Sequence, residues 1–253
     1  MDSQFIQAAT QDFNLPHDIV QLPSGGIFYR SKKKTIKVGY LTANDENILL
    51  SALQGNNKDG VMINLLRNKI YEPELRPEEL LESDIQAILL YLRNTSFGTE
   101  YVVSLLDPAT NKRFDVTINL EQLNIKQTEQ NPESDGTFTI TLPKSGDVVK
   151  IKPLNYGEIL EIERMSESYP PNRVVPKITW RLNKQVVEIN GSSDRQMISK
   201  YIETMPIMDS KFIRKFINDN VPSLDLKQIV TAPSGEIVET EINFGVEFFR
   251  PFF

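Results

Sequence analysis

The sequence predicts an α+β chain of two similar halves, each built from β-hairpins and short amphipathic helices. Three observations carry that prediction. Phe114, Val116, Ile118 and Leu120 alternate with Asp115, Thr117 and Asn119, the period of a strand with one wet face. Ile85, Ile88, Leu89 and Leu92 repeat at the spacing of one helix face. The stretch Leu22 to Leu50, LPSGGIFYRSKKKTIKVGYLTANDENILL, returns in shortened form at Leu142 to Ile162, LPKSGDVVKIKPLNYGEILEI. With 253 residues and 40% apolar content, the chain can bury a real core as one large or two ordinary domains.

Both copies of the motif lead from Leu-Pro through a glycine turn into a strand carrying Ile-Lys, Ile36-Lys37 in one and Ile151-Lys152 in the other. A leucine, a capping residue and an acid three positions on then follow. Asn155 and Glu158 have the spacing of a capping box, the amide accepting from the third helical N–H while the acid reaches back; Thr42 and Asp45 can do the same less well. Each copy reads as a hairpin leading into a helix.

In chain order, residues 1–21 scatter Phe5, Ile6, Phe13, Leu15 and Ile19 without a period and read as an N-terminal arm. The first half, 22–124, continues with a helix striped by Ile48, Leu49, Ala52 and Leu53, which Gly55 can end, and another from about Lys58 with Met62, Leu65 and Leu66 inward. Ser83 and Gln86 predict a capping box for the clearest helix, after which Tyr101 to Leu106 and Phe114 to Leu120 form a hairpin turning at Asp107-Pro108. Residues 125–136, IKQTEQNPESDG, are polar and read as a surface linker. The second half, 137–247, opens with the repeated motif and breaks at YPPNRVVP. Residues 177–191 then fit either period, and both a helix and a strand stay open there. Two amphipathic helices follow, Met197, Ile198, Tyr201 and Ile202 marking one and Phe212, Ile213, Phe216 and Ile217 the other, with Asp209 as the expected cap of the second. A last hairpin turns at Ala232-Pro233-Ser234-Gly235, and an aromatic tail, 248–253, closes the sequence. The offsets between landmarks wander by several residues, yet their shared order favours an internal duplication over independent use of hairpins.

The net charge is −6 with acids and bases mixed along the chain, so no basic face points to nucleic acid or anionic lipid. Lys32 to Lys34, the one dense basic run, reads as a solvated hairpin tip in preference to a phosphate site. The absence of cysteine removes disulfides and thiolate metal sites and fits a reducing cytoplasm. No signal-peptide pattern opens the sequence and no apolar run approaches ~18 residues, so neither secretion nor membrane insertion is expected. His17 is the only histidine, which with no cysteine present rules out Cys-His and histidine-zinc sets, and it reads as a loop residue in preference to the base of a Ser-His-Asp set. Glu78, Glu79, Glu82 and Asp84 crowd a helix start, where acids complement the dipole; a general acid/base pair is the weaker reading. Neither a phosphate loop, a dinucleotide fingerprint nor a calcium loop occurs. The expectation is therefore no catalytic residue, no cofactor and no metal ligand, with a carboxylate-dependent hydrolase as a distant alternative.

What remains is apolar surface. Phe248, Phe249, Phe252 and Phe253 crowd the last six residues. Either they fold back onto the chain's own core, the favoured reading, or they anchor in a pocket of a neighbouring subunit, where aromatics are typical hot spots. The same choice applies to Phe5 and Phe13, and these six phenylalanines are the candidate partner-binding residues.

LPSGGIFY, IKVGYLTANDENIL, SDIQAILLYLRNTSFG leading to EYVV, the LPKSG hairpin and the closing APSG and FFRPFF together resemble one family, the T4-like baseplate hub and assembly proteins of contractile-tailed bacteriophages. The likeness runs from about Leu22 to the C-terminus. It implies an α+β protein built into, or helping to build, the baseplate at the end of the phage tail, with no catalytic residues to carry over. It also implies that the late hairpins are degenerate zinc-ribbon tips: relatives carry CPxC-like turns where this chain has Asp107-Pro108-Ala109-Thr110 and Ala232-Pro233-Ser234-Gly235. Without thiolates no zinc is expected, and tips that meet would be held by strand pairing and packing.

The expected function is a structural, non-enzymatic component of the baseplate, at or near the hub. It would join other baseplate and tail proteins, or copies of itself in a symmetric assembly, through terminal arms and hairpin edges. The alternative is an assembly factor or chaperone that binds the same partners and leaves before the particle is complete. Assembly is expected in the host cytoplasm and residence in the virion tail.

Overall fold

The computed structural model describes residues 16–54, 60–126 and 128–249. Among the described residues, seven α-helices and several small antiparallel sheets make an α+β fold, and no helix is long and apolar enough to cross a membrane.

β1 (His17–Gln21) pairs with β2 (Thr35–Gly39), placing Val20 opposite Ile36, both buried. The last five residues of the expected arm are thus a strand, too short for its alternation to stand out in sequence. His17 lies on that strand, edge-on to the Tyr71 ring, and not in a loop. α1 (Ala43–Gln54) begins with the reciprocal bonds the sequence predicts. Asp45 accepts from the N–H and hydroxyl of Thr42 at 2.7 Å each, and Thr42 Oγ1 accepts from Asp45 N–H at 3.3 Å. α2 (Val61–Lys69) follows, and its last residue, Lys69, meets Asp45 in an almost inaccessible ion pair. The cap bonds on Asp45 make that pair tolerable, because buried charges need every lone pair satisfied. The role expected of Gly55 lies outside the described residues.

α3 (Glu82–Phe97) buries Ile85, Ile88, Leu89 and Leu92 as the periodicity predicts, but Ser83 and Gln86 do not cap it. Leu81 is held extended by a bridge to Asn155, so the helix is already under way at Glu82 and Ser83 falls inside its first turn. β3 (Glu100–Leu106) and β4 (Arg113–Asn119) form the first late hairpin, with the Tyr101–Ile118, Val103–Val116 and Leu105–Phe114 pairs on its inner face.

The polar segment 125–136 is no free linker. Its start is β5 (Ile125–Lys126), its Gln130 N–H donates to buried Asn220 at 2.7 Å, and its Glu133 and Asp135 hold Lys150 at 3.3 and 2.8 Å. Polarity there serves side-chain bonds to the body of the protein. β6 (Phe138–Thr141) and β7 (Val148–Ile151) form the second motif's hairpin, and α4 (Tyr156–Glu167) begins at the predicted Asn155–Glu158 capping box. The ambiguous stretch 177–191 satisfies both periods in succession: α5 (Lys177–Gln185) buries Leu182, and β8 (Val186–Ile189) then adds Val186 and Ile189 beside β7.

α6 (Arg195–Thr204) and α7 (Ile207–Asn220) follow, then β9 (Ser223–Leu224), which pairs with β5, and the last hairpin of β10 (Lys227–Thr231) and β11 (Ile237–Glu241). Asp209 is not the cap of α7; Pro206 holds that position and Asp209 is buried in the first turn. The order of elements recurs in the two halves. Each runs hairpin, capped helix, second helix, an extended return onto the hairpin (Ile70 bridging Val38 in one, β8 on β7 in the other), a long helix and a late hairpin, and the second half inserts α6 before its long helix where the first has only a short turn at Pro77–Glu79. The larger core, around Leu66, Leu80, Ile88 and Leu92, also takes in Ile242, Val246, Phe248 and Phe249, while a second core gathers Ile140, Val149, Ile151, Ile198 and Ile213.

Candidate interaction surfaces

Of the six phenylalanines singled out by sequence, Phe5, Phe13, Phe252 and Phe253 lie outside the described residues. Phe248 and Phe249 are core and not free anchors, which corrects their assignment as partner-binding residues. Phe248 packs against the rings of Phe244, Tyr101 and Phe249 at centroid distances of 4.7, 5.3 and 5.5 Å. The buried guanidinium of Arg93 fixes this return of the chain by donating to the carbonyls of Phe248 at 3.1 Å, Gly98 at 2.8 Å and Glu100 at 3.3 Å, over the Phe97 ring. A large apolar side chain stabilises most where it is desolvated, and for these two the chain's own core was nearest.

The hairpins are built on three related turns, LPSG at 22–25, LPKSG at 142–146 and APSG at 232–235, and each is held by one buried aspartate. Asp84 accepts from Ser24 N–H at 2.9 Å and Ser24 Oγ at 2.6 Å, and also from the Tyr29 hydroxyl. Tyr29 in turn accepts from Leu81 N–H at 2.8 Å. Asp209 accepts from Lys144 N–H at 2.7 Å and Ser145 N–H at 3.0 Å. Asp107 accepts from Ser234 N–H at 3.2 Å and Ser234 Oγ at 2.7 Å. Asp84 and Asp209 occupy the same place in their halves, the third residue of the long helix. Gly25 and Gly235 close their turns with φ of 59° and 91°, a region L side chains avoid, and donate to the carbonyls of Leu22 and Ala232. The carboxylates satisfy turn N–H groups that would otherwise be buried unpaired.

Environment decides the charge on these carboxyls. Burial pushes Asp84 above the ordinary aspartate range, against the opposing bonds from Ser24 and Tyr29. Burial also raises Asp107, but the bonds from Ser234 and from the Ala109 and Thr110 N–H groups outweigh it and leave that carboxyl below the ordinary range.

Asp107 also joins the late hairpins. Their strands form separate two-stranded sheets, so the expectation that the tips would be held by strand pairing is corrected: carboxylate hydrogen bonds from Asp107 to Ser234 hold them. In the Lys32 to Lys34 run, Lys32 donates to the carbonyls of Ile27 and Ser134 at 2.9 and 2.8 Å and Lys33 pairs with Glu72. The three aspartates were the functional side chains missed in the sequence. The signal that could have found them was the threefold return of Pro, Ser and Gly in one order.

With the turns fixed, the hairpins present apolar side chains outward: Ile19 on β1 is 68% exposed, and Ile229 and Ile237 on the last hairpin 72% and 68%. Ile207 and Met208, at the start of α7, are also solvent-facing. No group of three or more ligating side chains that could hold a metal occurs among the described residues. Compared with known proteins, residues 20–250 match the family described as T4 bacteriophage base plate protein, while no curated protein and no solved structure matches. The matched segment takes in every clamped turn described above and every hairpin apart from the first three residues of β1, and the chain therefore belongs to the T4 bacteriophage base plate protein family, as a structural protein of the virion tail that works in contact with other tail proteins.

Proposed function

We propose that this protein is a joint retained in the finished baseplate, at or near the hub, that holds neighbouring subunits through hairpin edges. The observation that carries the reading is the state of its sheets. Among the described residues, β7 is flanked on both sides and β2 takes the Ile70 bridge on the side away from β1, while the other strands keep an unpaired edge and the edge hairpins carry Ile19, Ile229 and Ile237 outward. An unpaired strand edge is a template for strand addition, and apolar residues beside it supply affinity. The aspartate clamps support the same reading, because a turn already held needs little further ordering when a partner docks. The terminal arms bearing Phe5, Phe13, Phe252 and Phe253 act as further anchors, and copies of the chain itself are among the partners.

In this reading the protein performs no catalysis, binds no nucleic acid and joins the tail in the host cytoplasm. Asp84, Asp107 and Asp209 are engaged by turn donors, which leaves them poorly placed to act on a substrate. The recurring order of elements supports an internal duplication as the origin of the two halves.

The test is quantitative mass spectrometry of purified virions. A fixed copy number across preparations supports a retained joint. Recovery only from infected-cell lysate would instead make the protein an assembly factor that leaves. Zymography on peptidoglycan is expected to show no clearing; clearing that vanishes when an acid is changed would establish a hydrolase.

A further inference from the structure

Two cavities of about 430 and 460 Å³ share Glu82, Gln86, Ile159, Leu226 and Glu241, and so form one trough between the halves. The first turns of α3 make its floor, α4 one wall, and the segments flanking β10 and β11 the other. We propose that this trough seats a segment of a neighbouring tail protein in which basic and apolar side chains alternate. The proposal deepens the reading of the protein as a baseplate joint and rests on it.

Charge is the first argument. The 460 Å³ part is lined by Glu82, Glu163 and Glu241 and by no Lys, Arg or His. None of the three carboxylates makes an ion pair or hydrogen bond among the described residues, although ten ion pairs are formed elsewhere there. The trough walls and Glu163 raise Glu82, against the pull of Arg181, and burial with Glu163 and Glu82 pushes Tyr156 up to about 12. Glu82 is solvent-exposed yet flanked by protein on several sides, as a residue in a trough floor must be. Arg181 acts on Glu82 and Lys227 stands opposite Glu241 across the last hairpin, but the 460 Å³ part itself holds three acids and no base, which favours a cation brought by a partner.

The second argument is independent of charge. Ser83 and Gln185 line the 430 Å³ part, both are 5% exposed, and Ser83 Oγ and Gln185 Oε1 have no hydrogen-bond partner. A buried oxygen left unpaired costs stability, and a donor arriving from a ligand removes the cost. The 430 Å³ part therefore offers two unpaired acceptors, although Arg181 and Lys227 also line it. Ile85, Leu89 and Leu226 line the same part as the acids, which favours apolar residues beside the basic ones.

The experiment is calorimetric titration of the full chain with an alternating Lys-Leu peptide, and with its Glu-Leu counterpart, at low and high salt. The Lys-Leu peptide is expected to bind one to one and the Glu-Leu peptide not to bind. Replacing the three acids together (Glu82→Gln, Glu163→Gln, Glu241→Gln) should weaken binding about tenfold or more and flatten its salt dependence. The matched set Glu121→Gln, Glu203→Gln, Glu236→Gln, on exposed acids outside the trough, should leave binding within about twofold. Circular dichroism melting of both sets, expected unchanged or raised, shows that each is folded. Equal losses for the two sets overturn the proposal. Binding only after removal of residues 250–253 overturns it in favour of the chain's own tail, and self-association that disappears with the trough acids overturns it in favour of a second copy. A chain that ignores the peptide but keeps its copy number in virions refutes the trough alone; one that binds it but is absent from virions refutes the joint alone.

Discussion

The clamp at Ser24 and the clamp at Ser234 use the same groups to opposite effect. In each, a serine after proline gives its N–H and its hydroxyl to an aspartate distant in sequence. At Ser24 the carboxyl is enclosed by the larger core, takes a third bond from Tyr29, and is raised by burial. At Ser234 the carboxyl sits at a hairpin tip among its own turn's N–H groups and is lowered. Donor chemistry alone does not set the behaviour of such a clamp; the surrounding dielectric does. The inner clamp secures the fold, and the outer one secures a surface.

The comparison breaks most readily at Asp84. Asp84→Ala leaves Ser24 N–H, Ser24 Oγ and the Tyr29 hydroxyl without their acceptor, and urea unfolding should show a loss of about 3–5 kcal/mol. Asp84→Asn keeps one acceptor and sheds the buried charge, so the same measurement should give a smaller loss, about 1–2 kcal/mol. Asp209 supplies an intermediate case with two backbone donors, and Asp209→Ala should cost about 1–3 kcal/mol.

Acid separates the two clamps by sign. A lowered carboxyl stabilises the fold above its unfolded pKa and loses that contribution as pH falls through the folded value. The Ser234 and Ala109 amides should therefore lose hydrogen-exchange protection below about pH 4. A raised carboxyl behaves in the opposite way: the contribution of Asp84 is complete at low pH and declines as pH rises from the unfolded to the folded value. The Ser24 amide should stay protected while the tip amides open. The smallest expected effect belongs to Ser234→Ala, which removes one of the two tip bonds and should raise exchange at residues 232–236 while leaving the midpoint of unfolding almost unchanged.

Much of this architecture was legible in the sequence because it is local. The Asn155–Glu158 cap, the inward face of α3 and the alternation of the late hairpins each follow from neighbours a few residues apart. The clamps were not, because the bonded residues are separated by 60, 65 and 127 positions and no local period links them. The crowding of phenylalanines singled out Phe248 and Phe249 and favoured their return to the chain's own core, but not the place they take in it; Arg93 and the Tyr101 face settle that. Residues 177–191 fitted both periods because a helix and a strand meet there at Gln185 and Val186. The trough was hidden because its acids come from α3, α4 and β11, where each looks like an ordinary solvated charge.

The central claim is that the outer clamp exists for neighbours and the inner one for the fold. It is tested most directly by measuring the amount of Asp107→Ala protein in virions purified from an infection supplied with that variant alone. The account predicts a chain that melts close to the unmodified one but is recovered from tails at a small fraction of its copy number. Incorporation at the full copy number, with the tip amides shown to be open, would contradict it.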